Sequence, residues 1–189
     1  MARSFWGVSF WLVTPIAAVV LGAAVYYGTR AMLQSGAAER EKFEALYADW
    51  LKEIAALPSA EVEQRAQALL ADATKFDCVP GTGSFTPPAA LAPKLAEFLT
   101  RYESVHAVDS EEFIDRRDLA VLEVEPLKEQ FLNIGTGECL RLYVKPGEET
   151  IYEVDTLNED APVDTYPTIH HWVLMQDRLM TADWDKLLA

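Results

Sequence analysis

The spacing of hydrophobic positions changes along the chain and divides it into regions of different character. From Phe5 to Tyr27 the residues read FWGVSFWLVTPIAAVVLGAAVYY, apolar throughout and without charge. A short polar stretch follows. Phe43, Leu46, Tyr47, Trp50, Leu51 and Ile54 then recur at helical spacing, which predicts an amphipathic helix over 38–56. Leu57-Pro58-Ser59 ends it, and Ser59 is placed to cap a second helix over 60–75. Val62, Ala66, Leu69, Leu70 and Ala73 form the apolar face of that helix, so the two predict an αα-hairpin.

Cys78 to Pro88 reads CVPGTGSFTPP, a turn-rich loop. Leu95, Phe98, Leu99 and Tyr102 mark a third helix over 91–102, with Pro93 in its first turn, where proline is tolerated. After an acidic stretch the period shortens. Strands are expected at 119–124 and at 131–134, the latter ended by Gly135-Thr-Gly137. Leu140, Leu142 and Val144 alternate with Arg141, Tyr143 and Lys145, the period-two pattern of a half-buried strand. Pro146-Gly147-Glu148-Glu149 is a turn, and 150–154 returns as the second arm of a β-hairpin. Residues 157–162 form a second acidic loop. Thr168 is placed to cap a helix containing Ile169, Trp172, Val173 and Met180, although the same stretch also fits a strand. Thr181 is placed to cap a short final helix with Trp184, Leu187 and Leu188.

Helices first, strands later and no βαβ alternation together predict an α+β fold with a mainly antiparallel sheet and flanking helices. The expected division is a transmembrane anchor at 1–30, a helical hairpin at 31–77 and an α+β domain at 78–189. The apolar run is long enough to cross a bilayer core of about 30 Å with some tilt. Phe5, Trp6, Phe10 and Trp11 at one end, and Tyr26 and Tyr27 at the other, make an aromatic belt. The run is too long for the apolar part of a cleaved signal peptide. The expectation is therefore a single-pass protein of the bacterial inner membrane. Arg3 on one side and Arg30, Arg40 and Lys42 on the other give a near tie under the positive-inside rule, and a possible disulfide leans the soluble domain towards the periplasm.

Charge sharpens the picture. All 30 acidic residues lie after Ser35, while two of the 16 basic residues, Arg3 and Arg30, lie before it. The remainder thus sets 30 acids against 14 bases. Such a surface repels nucleic acid and suits a basic or membrane-embedded protein partner. Asp109, Glu111, Glu112 and Asp115, with Glu148 and Glu149 in the hairpin turn, are the partner-binding candidates.

Candidate chemistry is sparse, and no cofactor is expected. His170 and His171 are adjacent, and neighbouring residues face different ways, a poor geometry for a metal or an acid–base pair. The acidic stretch lacks the glycine and spacing of a calcium loop. Gly81-Thr82-Gly83 lacks the Gly-Lys-Ser/Thr of a phosphate-binding loop. Ser84 and Ser104 stand in no Gly-x-Ser-x-Gly motif. The expectation is a non-enzyme. Cys78 and Cys139 form no C-x-x-C pair; one disulfide and two free thiols both remain open.

Three segments carry a family resemblance. The helix Leu95-Ala-Glu-Phe98-Leu99-Thr-Arg-Tyr102, the strand Phe131-Leu-Asn-Ile134-Gly135-x-Gly137 and the hairpin Leu140–Asp155 follow in the order seen in the SUKH superfamily, which the region from about 88 to 175 resembles. The glycine pair often found after the family's helix is replaced by Glu103-Ser-Val105. The resemblance implies a non-catalytic binding domain, often a toxin-immunity protein that neutralises its partner by occluding it. The alternative is a structural or accessory subunit of a larger membrane complex.

Overall fold

The computed structural model describes residues 36–108, 113–116, 119, 121–124, 129–137, 140–156 and 163–188. The chain divides into two compact units, one ending at Tyr47 and taking in Leu188–Ala189, the other Ala48–Leu187. In the first unit Phe43 is exposed and stacks on Tyr47 one helical turn on, with ring centroids 5.8 Å apart. The larger unit is described below.

Five helices and eight strands occur among the described residues. The first helix, α1, is seen over 36–55. Then follow α2 (Ser59–Leu70), β1 (Phe76–Pro80), α3 (Pro93–Arg101), β2 (Tyr102–Ala107), β3 (Phe113–Asp115), β4 (Val121–Val124), β5 (Glu129–Thr136), β6 (Leu140–Val144), β7 (Ile151–Asp155), β8 (Asp164–Tyr166), α4 (Ile169–Thr181) and α5 (Trp184–Leu188). The strands form two antiparallel sheets, β1-β2-β3 and β4-β5-β6-β7-β8. The fold is therefore α+β, as the order of periods predicts, but with two sheets.

The membrane architecture is corrected. No helix among the described residues is long and apolar enough to cross a membrane. Each carries charges within its turns, as Glu61, Glu63 and Arg65 do in α2. Phe5–Tyr27 lies outside the described residues. The expected single-pass topology and the inner-membrane location both rested on that segment and are not supported.

Several elements form for the expected reasons. Val62, Ala66 and Leu70, spaced by four, are the buried stripe of α2. Its N-cap is Pro58 rather than Ser59, and no side chain caps it. Pro93 opens α3 at its first turn. That helix ends when Tyr102 turns to extended backbone (φ −119°, ψ 135°) and becomes the first residue of β2. The hairpin β6–β7 pairs Tyr143 with Tyr152 and Val144 with Ile151. Its turn holds Gly147 at φ +82°, a region glycine enters without steric cost. Gly147 N–H also donates to Ala90 C=O at 2.6 Å, tying this turn to the approach to α3.

The three-stranded sheet is a departure. Phe76–Pro80 falls where a loop is expected, and β2 and β3 lie in the expected acidic stretch. Phe76, Val105, Ala107 and Ile114 are all buried, so the pairing of β1 with β2 and of β2 with β3 has an apolar face. No single strand shows a clean alternation long enough to announce itself. Strand β5 also runs on through Gly135, where its register against β6 shifts between Asn133 and Gly135.

The helix reading of Thr168–Met180 is the one realised. Ile169 to Gln176 are all buried in α4. A helix buried on every side has no polar face to pattern it, which explains the ambiguity with a strand. Within that core Glu153 of β7 is 7% exposed. Its Oε2 accepts a hydrogen bond from Trp172 Nε1 at 2.8 Å, and its Oε1 accepts one from the Tyr166 hydroxyl at 3.3 Å. One carboxylate thus joins β7, β8 and α4. On the opposite face of this sheet Phe131, Tyr143 and Val154 cluster with Tyr152 and Val163.

Hydrogen bonds to a buried charge stabilise by about 1.5–3 kcal/mol, and removing a donor leaves part of the desolvation cost unmet. Trp172→Phe keeps an aromatic ring while deleting the donor to Glu153. The expected loss is about 2–3 kcal/mol of unfolding free energy, measured by urea denaturation. A change below about half a kcal/mol would show that Glu153 does not depend on this bond.

Candidate functional site

An open groove of about 560 Å³ lies among the end of α1 with its exit turn, α2 with the turn after it, and α4, and all of its lining residues belong to the larger unit. Its walls follow from helical periodicity. On α2 the lining residues are Arg65, Ala68 and Leu69, at spacings i, i+3 and i+4, and Asp72 adds to that wall from the turn just past the helix end. On α4 they are Leu174, Asp177, Arg178 and Thr181, at spacings i, i+3, i+4 and i+7. Residues so spaced share one face of a helix. Glu53, Ile54 and Leu57 close the end supplied by α1. The floor is apolar, through Ile54, Leu57, Ala68, Leu69 and Leu174, and the rim is charged.

Ion pairs organise the rim. Arg178 Nη1 meets Glu53 Oε2 at 2.6 Å, linking α4 to α1, and its guanidinium lies 4.7 Å from the centre of the Trp50 ring. Lys75 Nζ meets Asp177 Oδ1 at 2.5 Å, linking the segment after α2 to α4. Arg65 pairs with Glu61 on its own helix. Arg65 and Arg178, which line the groove, and Lys75 beside it thus each face an acid. Asp72 is placed differently: it accepts hydrogen bonds from the Thr74 hydroxyl at 2.7 Å and the Thr74 N–H at 3.0 Å. Those bonds hold its carboxyl below the ordinary value, so it is ionised at neutral pH.

The residues singled out from sequence fare differently. Asp109, Glu111 and Glu112 lie outside the described residues. Asp115 does not belong to an exposed acidic face; it is 5% exposed on β3, opposite Ser104 of β2. Glu148 is exposed in the hairpin turn and within 3.5 Å of the Tyr152 hydroxyl. Glu149 has a structural task. Its Oε1 accepts the Lys94 backbone N–H at 3.2 Å. Ala92, the N-cap of α3, has no side chain to cap with, and a carboxylate from the hairpin turn supplies the missing acceptor.

Cys78 carries a free thiol midway along β1. Burial, with the Asp77 carboxylate beside it, pushes the thiol up to about 11, so it stays protonated and poorly nucleophilic at neutral pH. Cys139 lies outside the described residues. The Gly81-Thr82-Gly83 loop packs on Arg116. That side chain is buried, pairs with Glu103 at 3.0 Å, reaches the Thr82 hydroxyl at 3.4 Å and lies over the Phe85 ring at 5.1 Å. Gly81 comes so close to Thr100 that a Cβ would stand 2.2 Å from its carbonyl oxygen. Close packing of the loop therefore explains this glycine.

His170 and His171 are both buried at the start of α4. His171 Nδ1 lies 2.8 Å from the Thr168 hydroxyl, and the His170 ring meets Phe98 edge-on at 5.6 Å. Desolvation holds both below the ordinary histidine value, and His170 adds to the depression at His171. Among the described residues no group of three or more His, Cys, Asp and Glu side chains is arranged to hold a metal. The groove residues were missed by sequence reading because the signal is a spacing on two separate helices. It acquires meaning only once α2 and α4 are known to adjoin. Compared with protein-family models, curated proteins and solved structures, the chain matches none.

Two predictions follow from this geometry. Glu149→Ala removes the acceptor at the start of α3 and is expected to cost about 1 kcal/mol in urea denaturation, with Glu149→Gln retaining part of it. For the histidines, the unfolded chain binds protons near the ordinary value of 6.5 while the folded chain binds them only at lower pH. Stability is thus full above 6.5 and falls as pH drops through the window below it, by at most about 1.4 kcal/mol per pH unit for each histidine. Denaturation midpoints followed downward from neutrality should show this slope. A combined His170→Gln, His171→Gln variant should flatten it above the range where carboxylates titrate.

Proposed function

We propose that this chain is a non-catalytic protein-binding domain for a basic partner, acting by occlusion as the resemblance to SUKH immunity proteins suggests. The observation that carries the reading is the groove among α1, α2 and α4, an apolar floor within a rim whose cations already face acids. It stands in a chain with 30 acidic residues against 16 basic ones. Opposite charge speeds encounter and selects among partners, whereas apolar burial supplies the standing affinity. The groove is preferred as the docking surface, since among the acidic candidates Asp115 is buried and Glu149 is engaged with α3, while Asp109, Glu111 and Glu112 lie outside the described residues.

A second reading, an accessory subunit of a larger assembly, draws on the exposed Phe43 stacked on Tyr47 in the smaller unit. Affinity capture with the full chain separates the two. The partner-binding reading expects one dominant basic protein. Its association rate should fall steeply with added salt and severalfold in Asp72→Lys. Capture of several proteins in fixed ratio through Phe43, indifferent to salt, would support the second reading instead.

A further inference from the structure

The proposed partner-binding role leaves open what shape of partner the groove accepts, and the wall geometry narrows it. We infer that the groove receives about two turns of a basic amphipathic α-helix from the partner protein, completing a layer with α1, α2 and α4. The inference rests on the partner-binding reading and deepens it.

The first reason is the character of the walls. No residue lining the groove belongs to a strand. The backbone at the helix ends beside it is already bonded, with Ala71 N–H donating to Gln67 C=O and Asp72 N–H to Leu69 C=O. The groove therefore offers side chains and no free sheet edge. An extended peptide binds by adding main-chain hydrogen bonds to such an edge, and it would bring unsatisfied N–H and C=O groups onto this apolar floor. A helix satisfies its own backbone and presents only side chains.

The second reason is spacing. The α4 wall exposes an i, i+3, i+4, i+7 face from Leu174 to Thr181, and the α2 wall exposes Arg65, Ala68 and Leu69 and is continued by Asp72 just past the helix end. At about 1.5 Å per residue the α4 face runs about 10 Å, the length of two helical turns. A helix with apolar residues at the same spacing packs its ridge between these two rows. The third reason is charge. Asp72, just past the end of α2, is a carboxylate held in its charged form by the Thr74 hydroxyl and N–H and by the nearby Lys75 charge. Arg178 and Lys75 hold Glu53 and Asp177 in place at the other positions. Lysines flanking the apolar stripe of the incoming helix meet this acidic rim.

The test titrates the full chain, by calorimetry, with a synthetic peptide carrying leucines at i, i+3, i+4 and i+7 and lysines elsewhere. A scrambled peptide of the same composition, whose leucines share no face, is the comparison. The striped peptide is expected to bind about tenfold more tightly or better, and to gain helical circular dichroism on binding. Ala68→Trp is expected to remove that advantage, because Ala68 is exposed in α2 and a large ring there fills the groove without entering the core. Asp72→Lys is expected to weaken binding of both peptides. Equal, salt-dependent binding of the two peptides, untouched by Ala68→Trp, overturns the helical groove while the basic-partner reading stands. Absence of binding by either peptide overturns both. A self-associating chain that Ala68→Trp disperses in sedimentation also overturns the inference, because the occupant is then a second copy of this chain.

Discussion

Glu153 is the constraint on which the larger unit turns. A carboxylate in a protein interior is tolerated only when its oxygens are engaged, and here each takes a hydrogen bond from a different element. Trp172 comes from α4 and Tyr166 from β8, while Glu153 itself belongs to β7. These partners must meet at one point, which fixes the position of α4 over the sheet. An apolar contact in the same place permits sliding; a bonded charge does not, because any shift leaves it unsatisfied in a low-dielectric interior.

The position of α4 then determines the groove. Eight consecutive buried residues, Ile169 to Gln176, set the N-terminal two turns of the helix into the core. Leu174 at the edge of that buried run lines the groove, and so do Asp177, Arg178 and Thr181 of the emerging C-terminal part. Arg178 reaches Glu53 of α1, and Lys75 reaches Asp177, so both neighbours are drawn to the same face. These pairs are partly exposed and worth little each as stabilisers. Their value lies in geometry, holding the rim open at a defined width. The histidines lie at the buried end of the same helix, which places the acid sensitivity of the fold next to the element that shapes the groove.

Much of the fold was legible because local periodicity was strong. The stripe Val62–Ala66–Leu70, the proline at the start of α3 and the β6–β7 hairpin with its glycine turn all follow from neighbouring residues alone. The first sheet was not legible, because β1 ends in a proline-bearing turn and β2 follows α3 without any intervening residue. Each strand is short, and β1 finds its partner only beyond α3. The acidic surface was legible only as a count. Asp115 and Glu149 look alike in sequence, yet one is buried in a strand and the other caps a helix.

The sequence by itself determined the α+β character, the helices with one apolar stripe, the β-hairpin with its turn and a strongly acidic charge balance. These depend on spacing over a few residues or on totals, which tertiary packing does not alter. Only the tertiary structure decided that Glu153 is a buried junction and that two glutamates six positions or fewer from it have unlike roles. It alone set the matching faces of α2 and α4 side by side across more than a hundred residues of chain. The physical reason is that burial and pairing are properties of residues remote in sequence, and no local period records which remote face a helix will meet.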